Sequence, residues 1–275
     1  MTDQPIITLN DGRAMPQIGL GLWQAPDDEA ARVIRDAVAA GYRAVDTAMF
    51  YHNERGVGEG LRSVETPVHL TTKLWNDDQG YDNTLRAFEA SLKRLGRESV
   101  DLYLIHWPAP KKGLYVETWK ALVRLREEGR ALSIGVSNFN GEQIDRIVGE
   151  TGVTPVLNQI ELHPSYQQAP LAAKCRELGI GVEAYSPLGQ GGDLNGNAVT
   201  AIANAHNATT AQVVLAWHLA TGNIVIPKSV DPGRMRENFA ACPLKLTEDE
   251  LSAITALESG ARIGSDPAVA AFTQL

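Results

Sequence analysis

Cysteine is scarce in this 275-residue chain: Cys175 and Cys242 stand far apart and outside any C-x-x-C spacing. That excludes a disulfide framework or a zinc knuckle, and both thiols are expected to be small buried apolar groups. Long apolar runs are missing as well. No stretch of 18 apolar residues occurs, and the opening "MTDQPIITLNDGR" has no basic region followed by an apolar segment. Neither a membrane span nor a secretion signal is expected, and the chain reads as cytoplasmic. Positive charge is in deficit. Lys and Arg number 25 against 33 Asp and Glu, a formal net charge of −8, which argues against a nucleic-acid partner but leaves room for a local basic pocket. No repeat, low-complexity block or linker divides residues 1–275, so a single domain is expected, working as a monomer.

The residues that are present alternate, nearly end to end, between short strand-like runs and amphipathic segments with helical spacing. Eight candidate strands stand out: "IGLGLW" (18–23), "YRAVDTA" (42–48), "VHLTTKL" (68–74), "VDLYLIHW" (100–107), "ALSIGVSN" (131–138), "PVLNQIEL" (155–162), "IGVEAYSP" (180–187) and "NIVIPKS" (223–229). Between them, 27–41, 84–96, 116–129 and 170–179 read as helices that finish at glycine, a common C-terminal cap. Strand–helix units repeated over about 250 residues predict an α/β fold, the closed parallel (β/α)8 TIM barrel, with a doubly wound open sheet as the alternative. Apolar runs on either side of Asn10-Asp11-Gly12 predict an N-terminal β-hairpin, read as a lid over one end of the barrel. Residues 247–258 predict an extra C-terminal helix, and the tail from 259 onward reads as irregular.

Chemistry in such barrels sits at the C-terminal ends of the strands, where the following loops form one rim. Asp46 falls at the end of the second strand, Lys73 the third, His106 the fourth, Asn138 the fifth, Gln159 and Glu161 the sixth, Tyr185 and Ser186 the seventh, and Lys228 the eighth, while strand interiors read as apolar. Each alone has an ordinary explanation: Asp46 as a helix cap, Lys73 as a solvated end, His106 as a core histidine. Their shared end makes a common mouth the better account, and it draws "DTAMFYHNE" (46–54), with Tyr51, into the site.

No G-x-S-x-G elbow occurs and neither cysteine sits beside a base, so the chemistry on offer is proton transfer rather than acyl transfer. A phenol, with an ordinary pKa of about 10, becomes a useful acid when a cation such as Lys73 stabilises its phenolate. Lys73 in turn needs the counter-charge of Asp46, and His106 can hydrogen-bond and orient the reacting oxygen. The set suits a carbonyl oxygen that becomes an alcohol as a hydride arrives from elsewhere. For the hydride source, "YSPLGQGG" (185–192) offers an aromatic platform and a glycine-rich loop, and "PKSVDPGRMREN" (227–238) sets Lys228, Ser229 and Arg234 around a helix start. That arrangement suits a phosphorylated nucleotide, although a helix start with a solvated basic side reads the same way. The glycines of "GLGLWQ" and "GVGEG" do not make a dinucleotide fingerprint.

The motifs "GYRAVDTAMFYHNE", "TTKLWN", "DLYLIHWP", "GVSNF", "NQIELHP", "SPLGQG" and "IPKSVDPGRMREN", in that order, resemble the aldo-keto reductases over nearly the whole chain. The nearest likeness is to the bacterial branch that contains the 2,5-diketo-D-gluconate reductases. The resemblance implies a carbonyl reductase that uses NADPH/NADP+, with Tyr51 as general acid, Lys73 and Asp46 as its tuning pair and His106 as the orienting residue. It implies that Ser137, Asn138 and Gln159 hold the nicotinamide carboxamide, that Tyr185 stacks on the ring, and that Ser186, Leu188, Gly189, Gln190 and Ile226 also contact the cofactor. Lys228, Ser229, Val230 and Arg234 would take the 2'-phosphate, and Glu237 and Asn238 the adenine. Trp23, Phe50, Trp75 and Trp107 would wall the pocket for a small-molecule carbonyl substrate, although tryptophan at a strand end also serves as packing. No metal is implied.

Two features depart from that pattern. His52 stands where many members have glycine, adding a titratable group beside the acid, and the C-terminal tail matches no part of the family pocket. Two rival functions remain: a nucleotide-sensing subunit that binds NADPH with little turnover, and a metal-dependent barrel hydrolase built on His106 and His163. The second lacks an H-x-H pair and an acidic ligand set.

Overall fold

The computed structural model describes residues 4–270. A short antiparallel hairpin, β1 (Ile6–Thr8) and β2 (Ala14–Pro16), precedes eight parallel strands. These are β3 (Leu20–Gly21), β4 (Ala44–Asp46), β5 (His69–Leu74), β6 (Val100–Ile105), β7 (Ala131–Ser137), β8 (Leu157–Glu161), β9 (Gly181–Tyr185) and β10 (Ile224–Val225), adjacent in chain order. Parallel bridges from Ile18 to Val225 and from Gly21 to Lys228 join the first strand to the last. The sheet is therefore a barrel, and the open-sheet alternative is overturned.

Helices α1 (Asp27–Ala40), α2 (Glu54–Arg62), α3 (Tyr81–Leu95), α4 (Tyr115–Glu127), α5 (Gly141–Thr151), α6 (Ala169–Glu177), α8 (Thr210–Ala220) and α9 (Pro232–Phe239) follow the strands, with α7 (Asn197–Ala205) and α10 (Glu248–Thr255) as additions. Gly41 and Gly96 cap α1 and α3 at φ 117° and 63°, a left-handed backbone that glycine adopts without a Cβ clash. Strand alternation divides the core. Tyr103 and Ile105 of β6 face outward into the shell of helices, while Leu102 and Leu104 face the barrel interior. There they meet Leu9 and Met15 of the hairpin together with Val156, Leu157 and Ile224. The hairpin thus plugs the N-terminal end, as its pattern predicts, and Asn10 Nδ2 donates to the Pro155 carbonyl at 2.9 Å to hold it there.

Three sequence expectations need correction or completion. The first and last strands are two residues each and β4 is three, all shorter than their apolar runs; in the last run Pro227 has no N–H to donate. Gly21 belongs to the closing seam: a Cβ there would lie 2.7 Å from the Ile226 carbonyl oxygen. The glycines of "GVGEG" lie in α2, and a Cβ on Gly58 would come within 2.0 Å of the Leu95 carbonyl oxygen, so they permit helix-to-helix contact. Helix α7, in the connection between β9 and β10, is an element that the eight-unit reading does not include. Both cysteines are buried and free, and among the described residues no helix is long and apolar enough to cross a membrane. The tail from 259 to 270 forms no helix or strand; its last five residues, 271–275, lie outside the described residues.

Candidate active site

A cavity of about 940 Å³ opens at the C-terminal end of the barrel, lined at strand ends by Asp46, His106, Ser137, Asn138, Gln159 and Tyr185. Tyr51 reaches it from a 3-10 turn, Met49–Tyr51, directly after β4. Lys73 is fully buried behind this wall, where its ammonium ion-pairs with Asp46, donates to the Thr47 carbonyl at 3.0 Å and lies 3.5 Å from the Tyr51 hydroxyl. Burial disfavours the charged form of Lys73, but the Asp46 carboxylate, the largest opposing influence, holds its pKa above the ordinary lysine value. The Tyr51 phenol is pushed up by burial and pulled down by Lys73, with the balance upward. The cation thus acts in the expected direction without winning outright. His106 is held well below its ordinary value by burial and by Lys73, so its imidazole is neutral. Its Nδ1 is buried without a partner, which leaves Nε2 as the nitrogen able to reach a ligand.

One side of the cavity is aromatic. Phe50 and Trp75 stack at 3.8 Å with planes 15° apart, Trp107 adds to the wall, and Trp23 stands 46% exposed at the rim. The other side carries a network. Tyr185 donates to Asn138 Oδ1 at 2.9 Å, Asn138 donates to the His106 carbonyl at 3.0 Å, and Ser137 donates to the Gln159 carbonyl at 2.8 Å. Ser186, Leu188, Gln190, Ile226, Glu237 and Asn238 also line the cavity. Gly189, Ser229 and Val230 do not line it. A Cβ on Gly189 would collide with the Asp193 carboxylate, and the Ser229 hydroxyl bonds the backbone of Asp231.

Lys228 and Arg234 are exposed at the cavity edge, and neither forms an ion pair among the described residues. One amide of the helix start beside them is taken, because Asp231 Oδ1 accepts from the Arg234 N–H at 2.8 Å.

The match to known proteins follows this geometry. The family model described as "Aldo/keto reductase family" matches residues 17–259. The chain belongs to the aldo/keto reductase family. An aldo-keto reductase of Mycobacterium sp. (strain KMS) is 50% identical over 98% of this chain and 99% of that one. Methylglyoxal reductase DkgA of Yersinia pestis is 49% identical over 98% of each chain. A crystal structure of a Gox0644 mutant in complex with NADPH superposes with a TM-score of 0.96 at 51% identity, covering 98% of this chain and all of that one.

This aldo/keto reductase also places residues in the site that sequence reasoning missed. Gly264 and Ser265 of the tail line the cavity, brought there by a contact remote in sequence: the Glu161 carboxylate accepts from the Ile263 and Gly264 amides at 2.6 and 2.8 Å. Glu183 lies in the middle of β9 and is fully buried, so strand interiors are not uniformly apolar; a lone acid inside an apolar run was the available signal. His52, expected beside the acid, is exposed and does not line the cavity. Its φ of 55° gives a backbone reason for glycine at this position.

His163 does not line the cavity either; it is buried between Asp193 at 2.7 Å and Glu161 at 3.3 Å. It therefore clips the loop that follows β9 to the strand end that holds the tail. Burial opposes its charge, but the hydrogen bonds that its ring N–H groups donate to both carboxylates raise its pKa to about 9. An unfolded histidine titrates at about 6.5, so the stabilisation is complete below that pH and is lost as pH rises through about 9. His163→Asn is expected to lower the melting temperature by roughly 4 °C at pH 6 and by much less at pH 9.5. A pH-independent difference would show that the ring serves as packing alone.

Proposed function

We propose that the chain is an NADPH-dependent reductase of aldehydes and ketones, dicarbonyls and keto-sugars among them, with Tyr51 as the general acid. The observation that carries this reading is the convergence of Tyr51, Lys73, Asp46 and His106 on one mouth, beside Lys228 and Arg234, two cations without an ion pair among the described residues. The residues present fit a phosphorylated nicotinamide nucleotide: Lys228 and Arg234 are free to hold a 2'-phosphate, Tyr185 offers a ring face, and the Gln159 amide meets a carboxamide. When bound, NADPH supplies the hydride.

The chain's own residues carry the rest. The Tyr51 hydroxyl donates its proton to the carbonyl oxygen, and the adjacent Lys73 ammonium favours the phenolate left behind. Asp46 keeps the buried Lys73 charged, and neutral His106 orients the same oxygen through Nε2. Apolar walls from Phe50, Trp75 and Trp107 favour flat or small carbonyls over charged groups. The name of the Yersinia pestis relative makes methylglyoxal the first substrate to test. NADPH oxidation with methylglyoxal, a keto-sugar and an aromatic aldehyde separates a reductase from a nucleotide sensor, which would bind without turnover. Absence of turnover with all three would sink the reading.

Cofactor choice gives a sharper test. A charge-assisted contact contributes about 1.5 to 3 kcal/mol, at least a tenfold preference. Arg234 is exposed, so the lower end applies and salt screens part of it. Arg234→Ala is expected to weaken NADPH binding roughly tenfold at low salt, to leave NADH binding nearly unchanged, and to show a smaller NADPH effect at high salt. Quenching of the cavity tryptophans reports both affinities. Equal losses for the two nucleotides would assign Arg234 to loop structure.

A further inference from the structure

Glu183 is a buried acid that the proton-transfer scheme does not use. It sits on β9 opposite Gln159 of the neighbouring strand β8, with apolar Ile224 at the paired position on β10. Gln159 Nε2 donates one hydrogen to Asp46 Oδ2 at 2.9 Å and the other to Glu183 Oε2 at 2.7 Å. An amide has two hydrogens, and both are taken. Among the described residues the Gln159 side-chain oxygen has no donor, and it belongs to a cavity-lining residue, so it is the polar atom of this amide left for a ligand.

We propose that Glu183 is a positioning residue that acts through Gln159, clamping its second amide hydrogen so that the amide oxygen is held toward the cavity as an acceptor for the nicotinamide carboxamide. The proposal rests on the NADPH reading above. Asp46 alone makes only one of the two bonds. Without Glu183 the second N–H would be buried and unpaired, and the amide would gain freedom to swing. Two bonds in different directions from the same nitrogen fix the plane of the amide as well as its position.

The electrostatics are compatible with this role. The charged groups that face Glu183 are Asp46 and Lys73, with the Tyr51 phenol beyond them; burial, then Asp46, pushes the carboxyl pKa up to about 8, so it is neutral at pH 7. Its Oε1 is buried with no partner. The proton belongs on that oxygen, since a bare anionic oxygen would cost more there, and Oε2 stays available as the acceptor for Gln159. The Asp46–Lys73 pair therefore has no second negative charge beside it at neutral pH.

A binding cycle tests the assignment, read as the NADPH dissociation constant from tryptophan quenching. Glu183→Leu should weaken binding five- to tenfold, about the value of one hydrogen bond, and Glu183→Gln, which keeps an acceptor in place, should restore most of the affinity. In a Gln159→Leu background, Glu183→Leu should cause less than about a twofold further loss, because the group it acts through is gone. Losses that multiply, a leucine variant that binds like the parent, or a glutamine variant as weak as leucine would each overturn the proposal. Thermal melts accompany every variant; if leucine prevents folding, Glu183→Met enters the same cycle. A parent protein that does not bind NADPH would refute the functional reading instead.

Discussion

Tyr51→Phe is expected to lower the turnover of carbonyl reduction by at least the ~100-fold typical of general acid catalysis, while NADPH affinity stays nearly unchanged. The substitution keeps the ring, and with it the edge contact with His106 at 5.7 Å and the cation–π contact with Lys73 at 5.0 Å. Only the hydroxyl, and with it the proton it donates, is removed. The position of the hydroxyl, 3.5 Å from the Lys73 ammonium on a cavity wall, is why the loss should fall on turnover rather than binding. Steady-state kinetics with methylglyoxal, paired with tryptophan quenching by NADPH, separates the two. Turnover near the parent value would transfer the acid role to another group, with His106 next in line by position.

Lys73→Met is expected to be comparably severe in turnover and also costly to stability. Lys73 and Asp46 are both buried, so removing the ammonium leaves a carboxylate without its counter-charge, a change that commonly costs about 3 to 5 kcal/mol. Asp46→Asn should be milder. The ammonium keeps the Thr47 carbonyl, and Gln159 can still donate to the amide oxygen of the new side chain. Turnover at pH 7 should therefore rank parent, then Asp46→Asn, then Lys73→Met, and thermal melts should follow the same order. Reversal of the two variants in turnover would mean that Asp46 does more than hold the cation.

The fold was legible because both of its signals are local. Apolar runs such as "VDLYLIHW" and glycine-terminated amphipathic segments repeat with the period of a strand–helix unit, and the structure places a strand in every one of the eight runs. The runs failed in length, most at the seam, where the first and last strands are two residues each, and also in β4, three residues within 42–48. The additional helix α7 went unseen for a related reason: the eight-unit pattern accounts for the connection without it.

Site legibility divides along the same line. Asp46, His106, Asn138, Gln159 and Tyr185 were readable because a strand end is a local position and a barrel collects all strand ends at one mouth. The same rule did not extend to Ser229 and Val230, whose placement depends on how the loop before α9 turns; there the Ser229 hydroxyl satisfies the Asp231 backbone and leaves the cavity edge to Lys228 and Arg234.

By itself, then, the sequence determined the number and order of the strand–helix units, the end of the barrel that carries the polar residues, and the acid, cation and imidazole available there. Only tertiary structure decided which groups became partners. Glu183 meets Gln159 across a strand pair, His163 meets Asp193 across 30 positions, and the Glu161 carboxylate takes the tail amides from 102 and 103 positions away. The physical reason is that patterning follows from burial, which each segment expresses in its own composition. A hydrogen bond or a balanced charge requires two atoms within about 3 Å, and that distance is set by the closure of the whole barrel.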